Sequence, residues 1–285
     1  MTKLLKRLLG DVLSDTELSD VFSSFDIIGN IAVIKIPDSL LMKKKLIGDT
    51  LLSNVSNLKT VLLQKSAVDG EYRLRGLELI AGEDKYVTIY REYGCQFFVN
   101  VATSYFSPRL STERLRISNL VSENETVVNM FGGIGTFSII IAKKTPALVY
   151  NIDSNLDACV LSVINSKLNK LQDRIISLHG NAQDILGSGL FENKADRILM
   201  PLPEKAFEFI DISVNCIKPS GGYLHFFSHI KSDTKSKAVV DSENNVHSLF
   251  SNYDYQIKHT QIVRAVGPRV YQTVTDIYIK KQQLI

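Results

Sequence analysis

The stretch Val127-Val-Asn-Met-Phe-Gly-Gly-Ile-Gly-Thr-Phe-Ser138 decides the fold class. A short apolar run ends in clustered glycines, and an apolar helical stretch continues to Lys143. Glycine lets the backbone approach a ligand, and the start of the helix offers N–H groups with no partner inside the helix. The spacing departs from GxGxxG, and no Lys-Ser/Thr pair follows. A dinucleotide fingerprint is therefore a poor match, and a triphosphate loop is excluded. Asp153 stands twenty residues beyond Gly133, after the next strand-like run Ala147-Leu-Val-Tyr-Asn-Ile152. A carboxylate there can accept both ribose hydroxyls of a nucleoside. Compact loop and ribose acid together fit S-adenosyl-L-methionine. The alternative is an ordinary tight strand-to-helix turn, with Asp153 at the start of the helix.

Downstream, the pattern predicts a helix over 155–168, strands over 175–178 and 197–200, a helix over 204–216 and a strand over 223–227. Strands alternating with helices of this length imply βαβ units and a mainly parallel sheet. Residues 255–266 and 270–279 alternate like a closing antiparallel pair, and the polar stretch 231–245 reads as a mobile loop. Upstream, residues 4–24 are helical in period. A hairpin or strand spans 27–36 with Gly29-Asn30 as its turn, a helix spans 40–52, and strands fall at 58–65, 86–90 and 96–101. The expected architecture is a smaller α+β domain over 1–105, followed by a Rossmann-like α/β domain over 106–285. Asp196-Arg-Ile-Leu-Met-Pro-Leu-Pro-Glu204 ends the fourth strand of that sheet, where ligands of open α/β sheets bind. Its two prolines stiffen the backbone and leave carbonyls to face a flat substrate; alone, it reads as a proline-punctuated strand end.

The 285 residues are 45% hydrophobic and 22% charged, which excludes wholesale disorder. Thirty-three Lys and Arg against thirty Asp and Glu leave a net charge of +3, so bulk charge does not announce a nucleic-acid partner. Three scattered cysteines and five histidines without an HExxH pattern make a zinc site unexpected. His225 and His229 lie four apart in what reads as strand then loop. No apolar run approaches the ~18 residues of a membrane span. The N-terminus lacks a signal-peptide core. A cytoplasmic monomer without metal is expected.

Four further strings carry a resemblance. Tyr105-Phe-Ser-Pro-Arg-Leu-Ser-Thr-Glu-Arg-Leu-Arg116, taken with the glycine loop, closely resembles the archaeal and eukaryotic tRNA (guanine-37-N1)-methyltransferases. Glu71-Tyr-Arg-Leu-Arg75, Glu78-Leu-Ile-Ala-Gly-Glu83 and Val263-Arg-Ala-Val-Gly-Pro-Arg-Val-Tyr271 extend the match from about residue 5 to the C-terminus. The resemblance implies a class I S-adenosylmethionine-dependent methyltransferase domain, and a preceding domain that helps hold the anticodon stem-loop of tRNA. Glu113 matches the family's proposed general base, and Arg73, forty residues earlier, the arginine that contacts guanine O6. Arg114, Asn129, Phe131, Gly133, Asp153, Ser154, Asn181, Ala182 and Pro201 match the cofactor pocket. Arg109, Tyr105 and Pro203 match the substrate side. Without the family, Glu113 and Arg114 read as an exposed helix start with local charge pairing.

The sequence departs from the family in four ways. Asn129 and Asn181 stand where the family usually has acids, which keeps hydrogen bonding but loses charge. Pro201-Leu-Pro203 replaces Asn-Leu-Pro, and the separate N-terminal domain that many members use on the outer corner of tRNA is expected to be missing. A related enzyme of wybutosine synthesis transfers the 3-amino-3-carboxypropyl group of the same cofactor and is the competing reading. Its counterparts to Arg109 and to the Leu-Pro strand end differ. Arg73, Arg109 and Lys43 to Lys45 are the expected source of a local positive field for RNA.

Overall fold

The computed structural model describes residues 2–22, 25–65 and 74–281. The chain forms two compact units, Met1–Pro108 and Arg109–Ile285.

In the first unit, helix α1 (Thr2–Leu9) is followed by α2 (Asp15–Asp20), which starts in a reciprocal cap between Ser14 and Glu17. Strands β1 (Asp26–Ile28) and β2 (Ile31–Ile34) form the hairpin expected about Gly29-Asn30. Gly29 sits at φ +57°, and a Cβ there would meet Thr88 Oγ1 at 2.1 Å, so the turn needs glycine. Helix α3 (Lys44–Asn54) carries the chain over to β3 (Thr60–Gln64), parallel to β2, and β4 (Leu77–Gly82) adds antiparallel to β3. Leu5, Leu9, Ile34, Ile47, Leu51 and Val61 pack beneath this sheet. Strands β5 (Val87–Glu92) and β6 (Cys95–Asn100) form a separate hairpin. The lysines expected to supply a positive field are largely engaged. Lys43 pairs with Glu17 at 2.5 Å, Lys44 with Glu78 at 2.6 Å and Lys45 with Asp49 at 3.5 Å.

The second unit opens with α4 (Ser111–Ser118). Then come β7 (Thr126–Asn129), α5 (Thr136–Lys144), β8 (Leu148–Asp153), α6 (Leu156–Leu168), β9 (Ile175–His179), α7 (Ala182–Gly187), β10 (Arg197–Met200) and α8 (Ile210–Cys216). Strand β11 (Gly222–Lys231), α9 (Lys235–Leu249), β12 (Tyr255–Gly267) and β13 (Val270–Ile279) complete it. The sheet runs β12-β13-β11-β10-β7-β8-β9. Strands β11, β10, β7, β8 and β9 are parallel, and β13 inserts antiparallel between β11 and β12. The strand order reverses at β7, which places a crevice at the carboxyl ends of β7 and its neighbours.

Two expectations are corrected. The segment read as a loop over 231–245 is the end of β11 followed by helix α9. Thr234 Oγ1 caps α9 by accepting from Lys237 N at 3.2 Å, and Ala238, Ser242 and Val246 form its buried stripe. Two of those three are small or polar, so the helical period carries little hydrophobic contrast. The helix read from Glu204 instead starts at Ile210. Leu202 O accepts from Lys205 N and Ala206 N, and the tight turn it closes passes through a 3-10 segment, Ala206–Phe209, before α8.

Thr234→Ala should lower unfolding free energy by about 1 kcal/mol, the usual cost of a lost cap. Urea denaturation measures this, and an unchanged midpoint would show that Thr234 does not hold the start of α9.

Candidate functional site

The glycine loop rests on a ladder of buried amides. Asn129, the last residue of β7, donates from Nδ2 to Ser138 Oγ at 3.2 Å. Ser138 donates its proton to Asn151 Oδ1 at 2.6 Å, so it can only accept from Asn129, which fixes the orientation of the Asn129 amide. Asn151 Nδ2 in turn donates to Gly133 O at 3.2 Å. All three side chains are fully buried. Gly132 is required here: a Cβ would lie 2.1 Å from Asn151 Oδ1. Gly133 and Gly135 hold φ of +54° and +86°, which turn the chain into α5.

Asp153 ends β8 beside this loop. Its Oδ2 accepts from Gly133 N at 2.6 Å and its Oδ1 from Asn155 N at 2.9 Å. Burial pushes its carboxyl above the usual range, and the N–H donors of Asn155 and Gly133 offset part of that rise. Ser154 O lies 3.2 Å from His179 Nε2. After β9, Asn181 caps α7 by accepting from Gln183 N at 2.8 Å, which leaves its NH2 to offer to a ligand. Ala182 is buried behind it. Phe131 meets Phe209 edge-on, 5.0 Å between ring centroids. Met130 N donates to Leu199 O at 3.1 Å, bringing the end of β7 beside the end of β10, after which Pro201 and buried Pro203 follow. Nine of the sequence-derived residues (Asn129, Phe131, Gly133, Asp153, Ser154, Asn181, Ala182, Pro201 and Pro203) thus line the carboxyl edge of β7 to β10.

These residues suit S-adenosylmethionine. Asp153 is a half-buried carboxylate at the strand end, suited to a vicinal diol. Asn129 Oδ1 is buried with no hydrogen-bond partner among the described residues. An orphaned acceptor costs about 1–3 kcal/mol, and the amino groups of this cofactor are donors that could satisfy one.

Glu113 and Arg114 are on the first turn of α4, but not exposed as local charge pairing would have them: they are 3% and 1% accessible. Arg116 Nε donates to both Glu113 oxygens at 3.1 and 3.0 Å, and Arg116 Nη2 donates to Oε1 at 2.7 Å. Gln261 Nε2, from β12, donates to Oε2 at 2.6 Å. Arg116 also grips Asp276 on β13, Nη1 to Oδ2 at 2.6 Å and Nη2 to Oδ1 at 3.0 Å. Asp276 Oδ1 lies 2.6 Å from His225 Nδ1, and His225 Nε2 lies 2.8 Å from Arg197 Nη1. Arg197 closes the chain on Glu125 at 2.7 and 3.0 Å. The sequence reading did not single out Arg116, Gln261, Asp276, Arg197 or Glu125. Arg116 falls inside the quoted Pro-Arg-Leu string, three residues from Glu113, but Asp276 is 160 residues away and carried no signal.

His225 and His229 both lie within β11, not on a strand and a loop. Four residues along a strand separate them by about 13 Å, too far to share an ion. Arg109 is exposed at the start of the second unit, and Tyr105 belongs to the first. There Arg75 bonds Asp26 Oδ2 at 3.3 Å and Phe106 O at 3.4 Å. Arg73 lies outside the described residues.

The sheet order with β13 alone reversed, the glycine loop after β7 and the acid at the end of β8 define a class I S-adenosylmethionine-dependent methyltransferase fold. Residues 88–251 match the TRM5/TYW2 methyltransferase domain, and residues 5–85 the TYW2 N-terminal domain. The first match begins inside β5, so the β5–β6 hairpin packs with the N-terminal unit while belonging to the matched methyltransferase region. A Pyrococcus abyssi protein named tRNA (guanine(37)-N(1))-methyltransferase Trm5b is 43% identical over 257 residues, 90% of this chain and 75% of that protein. Its Methanocaldococcus jannaschii namesake is 35% identical over 260 residues, 91% of this chain and 72% of that protein. A solved complex of aTrm5 and tRNALeu aligns with TM-score 0.82 at 32% identity, covering 96% of this chain and 77% of that one. The chain belongs to the TRM5/TYW2 methyltransferase family.

Burial holds the His225 imidazole below its ordinary value of 6.5, against the pull of Asp276 and with help from Arg197 and Arg116. The unfolded chain therefore takes up a proton near pH 6.5 that the folded chain refuses, and stability is lost as pH falls below that value. Burial would raise the Asp276 carboxyl, but the hydrogen bonds from His225 and Arg116 outweigh it and hold the group well below 3.8, so its contribution is lost only below that pH. Thermal unfolding between pH 7.5 and 5 should show Tm falling on the acid side. His225→Asn, which keeps a donor toward Asp276, should flatten that slope, and an undiminished slope would place the titration elsewhere.

Proposed function

We propose that this chain transfers the methyl group of S-adenosyl-L-methionine to N1 of guanine 37, beside the anticodon of tRNA. The observation that carries the reading is Glu113, a buried, doubly gripped carboxylate inside the Pro-Arg-Leu-x-x-Glu-Arg string. Guanine N1 carries a proton, so its alkylation requires a base on that edge and a donor for O6 as charge develops there. The cofactor, when bound, would supply a methyl group on a sulfonium, whose S–CH3 bond breaks with its electron pair leaving on the neutral thioether sulfur.

Glu113 takes the N1 proton onto a carboxylate oxygen, leaving the ring nitrogen's electron pair to form the new bond. Gln261 occupies Oε2 at rest, so its amide swings aside or shares that oxygen when N1–H arrives. Arg73 is assigned the O6 contact on the resemblance alone. Asp153 accepts the ribose hydroxyls, Asn181 and Ala182 face the adenine, and Phe131, Gly133, Asn129 and Ser154 complete the cofactor wall. Arg114 receives the cofactor carboxylate with its planar fork. With no Asn at 201, the backbone carbonyls of Met200 and Pro201 face the base in its place, and Pro203 holds that turn rigid. Arg109 and Tyr105 position the substrate, and the unit over 1–108 steadies the anticodon stem-loop. No described helix is long and apolar enough to cross a membrane. The reading is of a monomer acting on tRNA in the cytoplasm.

Glu113→Gln should keep cofactor affinity but cut turnover on tRNA bearing G37 by roughly 10²-fold or more. Wild-type turnover would remove Glu113 from the base role. Asp153→Ala should weaken cofactor binding by about tenfold or more in calorimetry, since it removes charge-assisted hydrogen bonds. An unchanged Kd would refute the ribose assignment. With S-adenosylmethionine labelled separately on the methyl and aminobutyrate carbons, the methyl label should reach the tRNA, whereas transfer of the other label would establish the aminocarboxypropyl reaction.

A further inference from the structure

A base that receives a proton from a ring nitrogen needs a fixed lone-pair direction, because small misplacements of reacting groups are expensive. Glu113 sits on the first turn of a helix of only eight residues, yet its carboxylate is held at both oxygens. We infer that Arg116, Asp276 and His225 form a positioning relay that aims the Glu113 carboxylate and tempers the charge it faces. The inference rests on the reading of Glu113 as the base.

Arg116 is the pivot. One edge of its guanidinium grips Glu113 and the other grips Asp276, a two-sided fork that a lysine ammonium cannot reproduce. Asp276 claims part of the positive charge. Glu113 therefore meets a guanidinium already shared with a second carboxylate. Asp276 is itself fixed by His225, whose tautomer follows from its neighbours. Nδ1 faces a carboxylate and must carry the proton, while Nε2 faces an N–H of Arg197 and must accept. A protonated imidazole would set N–H against N–H and cation against cation. Arg197 is anchored by Glu125, by Leu120 O at 2.8 Å and by the Tyr223 ring at 4.7 Å. The charged and titratable groups around the relay are thus Glu113, Arg114 and Arg116 on α4, Glu125 before β7, Arg197 on β10, Tyr223 and His225 on β11, Asp276 on β13 and His259 on β12, which is paired with Asp276 in the ladder and has its Nε2 3.3 Å from Oε1 of the neutral Gln261. The relay runs from the sheet interior to the base and holds it from elements far apart in sequence.

The test is single-turnover methylation of a tRNA transcript with G37 across pH, with cofactor affinity measured alongside. Arg116→Gln should slow the step by ~10²-fold, the scale of a misplaced reacting group, and move the acidic limb to higher pH. Arg116→Lys should return the limb toward wild type but leave a loss of about tenfold, because charge is restored without the fork. Asp276→Asn should move the limb the opposite way, to lower pH, because Arg116 then gives its full charge to Glu113. Opposed shifts at unchanged cofactor Kd are not expected of merely structural damage. Wild-type rates and limbs in Arg116→Lys and Asp276→Asn, with Glu113→Gln inactive, would overturn the relay alone. Losses that track cofactor affinity without moving the limb would also overturn it. Full turnover in Glu113→Gln would overturn the base reading and the relay with it. Should Arg116→Gln not fold, Asp276→Asn decides.

Discussion

The second unit is built around charges that have been taken out of water. Glu113, Asp276 and Arg197 are nearly inaccessible, and Arg116 and Glu125 are only partly exposed. An unpaired ion in such a place costs several kcal/mol, so each carboxylate requires a guanidinium beside it, and the imidazole between Asp276 and Arg197 must stay neutral. This requirement constrains the topology. Arg116 is on the first helix of the unit and Asp276 on its last strand, 160 residues apart. They meet because β13 enters the sheet between β11 and β12, which sets Asp276 opposite His225. A hydrophobic filling would stabilise such a core as well or better. What the ionic filling gives is direction: α4 has one orientation in which every charge is matched, and that orientation fixes Glu113.

The cofactor side follows the same logic without charge. Asn129, Ser138 and Asn151 brace the glycine loop from below, and α6 braces it from the side. The buried face of α6 carries Ser162, Asn165 and Ser166 beside Ala158, Cys159 and Leu161, and buried Asn169 follows its end, while Leu156, Val160, Val163, Ile164 and Leu168 are exposed. Asn165 Nδ2 holds Ile134 O at 3.1 Å, and Ser162 Oγ bonds Ser177 Oγ at 2.8 Å. A loop that keeps its backbone open to a ligand leaves carbonyls without helix or sheet partners, and buried polar side chains must supply them. The amides at 129 and 181 are accommodated in the same way. Asn129 satisfies Ser138, and Asn181 caps α7, each through one end of its amide.

The alternation of strands and helices, the glycine loop and the acid at the end of β8 are readable from sequence because each is local, within about one βα unit. The hairpin at Gly29-Asn30 was readable for the same reason. Helix α9 was not, because a helix whose buried positions are Ala238, Ser242 and Val246 lacks the apolar stripe that announces one. Strand β4 is not legible as a strand in the sequence, since three of its six residues are only partly buried and the alternation of buried and exposed positions is lost. The burial of Glu113 was least readable of all. Nothing within a few residues says that a Glu-Arg-Leu-Arg helix start will be covered, because the cover comes from Gln261 and Asp276.

The balance of thirty-three basic against thirty acidic residues also changes meaning once these charges are located. Arg114, Arg116 and Arg197 are withdrawn into the second unit, and so are Glu113, Glu125 and Asp276. Three charges of each sign cancel, so the formal +3 belongs to the rest of the molecule. Lys43, Lys44 and Lys45 are themselves paired with acids on the first unit, though exposed pairs of this kind exchange readily with solvent or a polyanion. A weakly positive exterior gives a long polyanion little nonspecific purchase, and its binding should depend only modestly on salt. Discrimination then falls on a few groups that meet one base and its flanking phosphates. The interior arginines hold Glu113, Asp276 and His225 in one geometry, whatever the exterior charge.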